Sequence, residues 1–211
     1  MRAVRIELRL AGLAEWLKVF DPRDGTIIVD GDLTPVGTDV RLDLVVAGGF
    51  RVVFRGQVIG HRGVPARSAF VALFPTEREK VNYLNGFCRG GLLDLRATRR
   101  LPVRLPITYG GIDGPCQAFS RDINEHGVFV VTKDPLPEEA EVHLQITFPG
   151  VKQPLSAVGV VSHTVLPEDE DTPGMGIVFS SGEAERKPLI AAIDRLEQEF
   201  LGGTLADEVL L

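Results

Sequence analysis

Two polar stretches decide how this sequence is interpreted: Arg99–Arg104 reads RRLPVR, and Asp122–Gly127 reads DINEHG, followed at once by the apolar run Val128–Val131. The first stretch concentrates guanidinium groups without an acid, although the whole chain carries a net charge of −6. A polar turn that contains a glycine and leads into an apolar run is typical of a turn that opens a β-strand. The surrounding sequence is therefore interpreted outward from a basic segment and a strand-opening turn.

Most of the chain shows the period-two alternation of half-buried strands, which is clearest in 40–46 and 141–148. Turns rich in Gly, Pro and Asp separate these segments. Helical spacing of apolar residues appears in 77–87 and in 183–200. Many short strands with few helices predict a mainly β protein made of small barrels.

The order of elements occurs twice, at an offset of 102 to 105 residues. For example, Gly25–Val29 aligns with Gly127–Val131, and Val40–Leu44 aligns with Val142–Ile146. A constant offset across several strands favours two copies of one unit. We therefore predict two small antiparallel six-stranded β-barrels, each followed by a C-terminal α-helix. The predicted domains are 1–88 and 105–211, joined by a basic linker, 89–104.

Composition argues against several classes of protein. A pI of about 5.3 disfavours non-specific nucleic-acid binding, which depends on phosphate neutralisation. No apolar run is long enough to insert into a membrane, and two cysteines, Cys88 and Cys116, suit a reducing cytoplasm. The four histidines are scattered, and no nucleophile or acid–base constellation stands out. We expect no metal site, no cofactor and no catalytic residues, so the protein is predicted not to be an enzyme.

The residue types in the two stretches suit a guanine nucleotide. Arg100 and Arg104 offer planar donors for a guanine edge or a phosphate. Asp122 is able to accept the N1–H and N2–H groups of guanine, Asn124 offers an amide, and Gly127 allows a close backbone approach. The same residues also fit a solvated basic linker followed by an Asx-type turn, so both interpretations stay open at this level.

The spacing of these residues resembles the PilZ domain: Arg-x-x-x-Arg, then Asp-x-x-x-x-Gly opening a barrel strand, with Gly174–Phe179 similar to the family's closing strand. The resemblance covers about 96 to 200 and implies a six-stranded barrel that binds cyclic di-GMP. It implies that Arg100 and Arg104 grip guanine and phosphate and that Asp122 reads a guanine edge. Asn124 and Gly127 would complete the turn, although the family usually has serine in place of Asn124. Arg99, at a variable position, would influence whether one or two ligand molecules bind.

The first copy lacks these residues, because an offset of 102 places Phe20, Pro22 and Gly25 opposite Asp122, Asn124 and Gly127. The resulting hypothesis is a cyclic di-GMP receptor in bacterial signalling. Its ligand is clamped on the C-terminal barrel by the interdomain arginine linker, and an unknown protein partner reads the change. The alternative is a nucleotide-independent PilZ-like interaction module that controls motility or surface behaviour.

Overall fold

The computed structural model of the protein describes residues 3–31, 34–47, 51–63, 67–89, 100–111, 114–169 and 171–210. These residues pack into two compact units. One comprises the described residues up to 89 together with Phe200–Thr204, and the other comprises those of 100–199 and 205–210. The boundaries drawn from the sequence, at 88/89 and 104/105, stay a prediction.

The first unit contains a six-stranded sheet and two α-helices. The strands are β1 (Val4–Leu10), β2 (Phe20–Asp21), β3 (Thr26–Asp30), β4 (Asp39–Val46), β5 (Arg51–Arg62) and β6 (Ser68–Leu73), and the helices are α1 (Trp16–Val19) and α2 (Arg78–Arg89). Hydrogen bonds join the strands in the order β1-β4-β5-β6-β3-β2. The pair β1–β4 is parallel, whereas the other four pairs are antiparallel.

The parallel pair is where the first unit differs from the expected antiparallel barrel. After β1 the chain forms a 3-10 turn, Leu13–Glu15, and α1 instead of a hairpin. A long connection of this kind is what a parallel pair requires, because a tight hairpin returns the chain in the opposite direction. The strand that follows, β2, has only two residues and offers little edge for closing the sheet.

Aromatic stacking fills the core of the first unit. The fully buried Trp16 ring stacks on Phe20 at 4.7 Å between ring centroids and on Phe54 at 5.5 Å. Its indole N–H donates to the amide oxygen of Asn85 at 2.9 Å, so the one polar atom of the ring is satisfied. Trp16 therefore belongs to the core.

The second unit is a closed antiparallel barrel followed by a helix, which confirms the predicted mainly β, PilZ-like fold for this half. The strands are β7 (Pro106–Gly111), β8 (Gly114–Asn124), β9 (Gly127–Val131), β10 (Glu141–Ile146), β11 (Leu155–Val165) and β12 (Gly174–Phe179), and the helix is α3 (Glu183–Gly202). The order around the barrel is β10-β11-β12-β9-β8-β7, and β7 closes it by pairing with β10. In β10 the alternation of the sequence is matched by burial of Val142, Leu144 and Ile146.

Matching hydrogen bonds support the internal repeat. The register of β5 on β6 shifts between Val58 and Gly60, and that of β11 on β12 shifts between Val161 and His163. In each unit the residue before the bulge accepts a bond from a residue in the left-handed region: Gly37 (φ 86°) donates to Val58, and Glu139 (φ 67°) donates to Val161. The two units therefore share a β-bulge and a turn residue in the left-handed region that bonds to it, as expected of two copies of one unit.

Candidate functional site

The arginine segment lies along β8 as an extended chain. Leu101, Val103 and Leu105 are buried, whereas Arg100 is half-buried and Arg104 is exposed. Since side chains alternate along an extended chain, residues four apart share a face, roughly 13 Å from each other. The Arg-x-x-x-Arg spacing therefore places both guanidinium groups on the outer side of the segment while the apolar residues enter the barrel.

Hydrogen bonds hold this segment in place. Leu101 and Ile123 exchange backbone bonds of 2.7 and 3.0 Å. The buried Ser120 hydroxyl accepts from the Leu105 N–H at 2.8 Å and donates to the Val103 carbonyl. The Arg104 N–H donates to the Val209 carbonyl at 2.8 Å. The end of the predicted linker, Arg100 to Arg104, is thus bonded to its surroundings on both edges.

Arg100 and Asp122 form an ion pair across this register. The Arg100 Nη1 donates to Asp122 Oδ1 at 2.7 Å, and the side chains are 32% and 15% exposed. The Asp122 carboxylate is mostly shielded from solvent, so hydrogen bonds from charged donors take the place of its hydration. The structure therefore brings together two of the residues that the sequence singled out.

Arg121 also binds Asp122, and the sequence analysis missed it. Its Nε donates to Asp122 Oδ2 at 2.9 Å. The register of β8 on β9 shifts between Ser120 and Asp122, so Arg121 is the extra residue of a β-bulge. A bulge breaks the alternation of faces and brings neighbouring side chains to one side. The buried residues of β8 follow one another at a spacing of two, from Ala118 to Ser120, and then of three, from Ser120 to Ile123. This change of spacing is the signal of the bulge in the sequence.

Arg104 lies at the other end of the extended arginine segment and has a different neighbour. Its guanidinium carbon lies 3.8 Å from the centroid of the Phe119 ring, and Phe119 is exposed. A guanidinium that rests on an exposed ring keeps its edge donors free for solvent or a ligand. Arg99, the remaining predicted arginine, lies outside the described residues.

Asn124 acts on its own turn. Its Oδ1 accepts the backbone N–H groups of His126 at 3.0 Å and Gly127 at 2.9 Å, and the residue is 6% exposed. This is the geometry of an Asx turn, in which a side-chain oxygen satisfies the following amides. A serine hydroxyl is able to accept in the same way, which explains why Asn is compatible with this position. From α3, Arg186 donates to the Glu125 carbonyl at 2.6 Å and so fixes the turn from outside.

Gly127 is required by a close backbone approach. A Cβ at this position would overlap the Ile177 carbonyl oxygen of β12 and would lie 3.3 Å from Arg100 Nη2. The absence of a side chain therefore lets β9 pair with β12 and also leaves room for the Arg100 guanidinium. The close approach is that of a neighbouring strand, whereas the ligand contact expected for the glycine stays a prediction.

The first unit does not reproduce these residues. Thr26 pairs with Ala72 as Gly127 pairs with Val178, so Thr26 holds the position of Gly127. In the same register Phe20 pairs with Ile27, just as Ile123 pairs with Val128 in the second unit, so Phe20 corresponds to Ile123. The offset is 101 at β3 but 103 at β2, where Phe20 corresponds to Ile123, so the alignment of Phe20 with Asp122 was wrong by one position.

The turn of the first unit nevertheless keeps the same chemistry. Asp21 pairs with Thr26 as Asn124 pairs with Gly127, and its Oδ1 accepts the Arg23 N–H at 2.9 Å. Asp21, and not Pro22, is therefore the counterpart of Asn124. The Asx turn is common to both units, whereas the arginine–aspartate pair belongs to the second.

The described residues lack two further kinds of feature, a metal-binding cluster and a membrane-spanning helix. They contain no group of three or more His, Cys, Asp or Glu side chains that could hold a metal ion. Among them, no helix is long and apolar enough to cross a membrane.

Comparisons with known proteins address the family. The chain is similar to the inhibitor of motility MotI/DgrA of Bacillus subtilis (12% identity, 85% of this chain and 87% of the other, TM-score 0.39). It is also similar to YcgR of Escherichia coli in complex with c-di-GMP (12% identity, 83% and 77%, TM-score 0.35). The PilZ domain of CeSA from a cellulose-synthesising bacterium matches 47% of this chain and 99% of its own (17% identity, TM-score 0.38). A search of curated proteins found no match.

The family model of the PilZ domain matches residues 94–195, which include the arginine segment, the Asp122 turn and the whole closed barrel. Residues 94–195 of this chain are therefore a PilZ domain.

Proposed function

We propose that the PilZ domain of this protein binds cyclic di-GMP and thereby controls a partner protein. The observation that carries the proposal is the placement of Arg100 and Arg104 on the outer side of one extended segment, with the Asp122 carboxylate bonded to the first of them. The protein would act as a cytoplasmic receptor and not as an enzyme. A negatively charged chain that concentrates arginines at one site is suited to a small anionic ligand.

The chemistry of binding follows from these groups. A guanidinium is able to pair with the N7 and O6 acceptors of guanine or with two phosphate oxygens. The Asp122 carboxylate is able to accept N1–H and N2–H of guanine. Arg100 must exchange its bond to Asp122 for bonds to the ligand. The ligand must replace the broken bond, because Asp122 is only 15% exposed and a carboxylate in that position is poorly hydrated.

Isothermal titration with cyclic di-GMP tests the proposal. The intact chain should release or absorb heat at micromolar ligand. Arg100→Ala and Arg104→Ala should abolish binding and leave the melting temperature nearly unchanged, because neither side chain is buried. Arg9→Ala is the charge-matched control, since Arg9 is 82% exposed and pairs only with Glu7 on β1. A folded wild-type protein that gives no heat would refute the ligand assignment.

The linker is a finer part of the proposal. We propose that the basic segment 89–104 clamps the ligand and that Arg99 sets the number of ligand molecules bound. The backbone bonds of Leu101 and Arg104 hold the end of this segment against its neighbours. Arg99→Ala should therefore change the stoichiometry of the titration and retain binding. An unchanged stoichiometry would remove Arg99 from the site.

A nucleotide-independent interaction module is the second candidate. It is supported by the fact that the Asn124 oxygen and the Arg100 guanidinium have hydrogen-bond partners within the protein itself. Such a module would control motility or another surface behaviour through protein contacts alone. A pull-down in which the same partners are recovered with and without cyclic di-GMP, and with Arg100→Ala, would favour it.

A further inference from the structure

We propose that Arg121 is a positioning residue of the ligand site, which holds the Asp122 carboxylate in place when Arg100 moves to the ligand. The proposal rests on the proposed function, because it assigns a role within the same site. The starting observation is that the two oxygens of Asp122 have different partners: Arg100 binds Oδ1 and Arg121 binds Oδ2.

The separate partners of the two Asp122 oxygens become important when a guanine binds. If Arg100 turns to the ligand, Oδ1 becomes available to accept a guanine N–H. Asp122 is 15% exposed, so without a second cation it would be left as a poorly hydrated charge. The bond from Arg121 to Oδ2 keeps a charged partner on the carboxylate and holds its orientation during the exchange. Oδ2 retains a second lone pair, so it is able to accept the other guanine donor.

Arg121 is fixed before any ligand binds. Its guanidinium carbon lies 3.7 Å from the centroid of Phe129, a ring that is 1% exposed. Phe129 also contacts His163, with the ring centroids 5.9 Å apart. The Arg121 Nη1 also lies 3.5 Å from Asp171. A stacked guanidinium loses little conformational freedom when it acts, so its effect on Asp122 costs little entropy.

The role predicts an effect on base selectivity. If the Asp122 carboxylate accepts a bond from the guanine N2 amine, a ligand that lacks this amine should bind more weakly. The difference in affinity should be smaller in a variant that has lost the bond from Arg121 to Asp122. Cyclic di-IMP, in which hypoxanthine replaces guanine, is such a ligand. The ratio of the two dissociation constants therefore measures how well Asp122 is held, and a loss of folding alone would leave that ratio unchanged.

The experiment is a titration of the intact chain with both ligands. For the wild type we expect about tenfold weaker binding of cyclic di-IMP, as is typical for one lost hydrogen bond to a charged group. Arg121→Ala should weaken cyclic di-GMP about tenfold and bring the ratio close to one. Arg121→Gln, which keeps a hydrogen-bond donor but lacks the charge, replaces the alanine variant if that variant fails to fold. It should likewise weaken cyclic di-GMP binding and lower the ratio of the two dissociation constants. Arg9→Ala should change neither value.

The possible outcomes separate the two proposals. If the wild type binds neither ligand, the proposed function fails. If the wild type binds but Arg121→Ala and Arg121→Gln keep both the affinity and the ratio, the role of Arg121 is refuted and the proposed function stands. If both ligands weaken equally in these variants, Arg121 acts on the phosphates or on folding, and the positioning role is overturned.

Discussion

At the scale of single residues, the site depends on the missing side chain of Gly127 as well as on its charged groups. Gly127 lies where a Cβ would overlap the Ile177 carbonyl, whereas the strand residue Gly110 has no atom within 4 Å of an added Cβ. Both glycines belong to the same barrel and neither has a positive φ. The close approach of two strands, and not a special backbone conformation, is what requires glycine at 127.

We expect Gly127→Ala to destabilise the barrel by about 1–3 kcal/mol, the usual cost of overpacking, and to abolish ligand binding by displacing Arg100. Gly110→Ala should leave both properties within error. Thermal unfolding followed by circular dichroism measures the first effect, and titration measures the second. Equal melting temperatures for the two variants would show that β12 is able to shift at no cost.

At the scale of the element, the arginine segment depends on one serine. The Ser120 hydroxyl is 1% exposed and bonds both the Leu105 N–H and the Val103 carbonyl. Together with the backbone bonds between Leu101 and Ile123, these bonds of the serine hold the segment in its register on β8. The orientation of Arg100 and Arg104 follows from that register.

Ser120→Ala should cost about 1–3 kcal/mol, because it leaves a buried donor and a buried acceptor without a partner. It should also weaken cyclic di-GMP binding, although Ser120 is not expected to touch the ligand. Amide hydrogen exchange of Leu101 and Leu105 should accelerate. Ser156→Ala is the matched control, since that exposed hydroxyl accepts only from Gln145. Unchanged exchange in Ser120→Ala would mean that the backbone bonds alone hold the segment.

At the scale of the whole molecule, the two units carry different electrostatic features. In the first unit the fully buried Asp43 accepts from Arg5, Arg41 and Arg51. Burial raises the pKa of Asp43, but the bonds from Arg41, Arg51 and Arg5 together lower it below its ordinary value. A lowered pKa stabilises the fold above the ordinary carboxyl range, and this contribution is lost as the pH falls towards the lowered value.

Asp43→Asn should therefore destabilise the first unit by about 1–3 kcal/mol at neutral pH, and the difference from wild type should shrink as the pH falls below 4. Trp16, the only tryptophan, reports the unfolding of this unit by fluorescence.

Cyclic di-GMP at about 100 times its dissociation constant should instead raise the stability of the PilZ domain by about 2.7 kcal/mol. Calorimetry should show the variant and the ligand moving different transitions. One transition moved by both would mean that the units unfold together.

The sequence by itself determined the features that depend on neighbours in the chain. Alternation over 141–148 predicted β10, because one strand buries every second residue wherever it lies. The Arg-x-x-x-Arg spacing and the Asp122 turn were likewise recognisable, since an extended segment and an Asx turn are local. The internal repeat was visible for the same reason, although its alignment at β3 was wrong by one residue.

Only the tertiary structure decided the features that depend on which strands meet. The parallel pairing of β1 with β4 needs the path of the intervening chain, which no local period contains. Arg121 joined the site because a bulge in β8 against β9 turned it towards Asp122. Gly127 proved essential through the carbonyl of a residue far along the chain, Ile177. Residue types provided the chemistry of the site, but strand register selected which of them act together, because register is set by long-range hydrogen bonds.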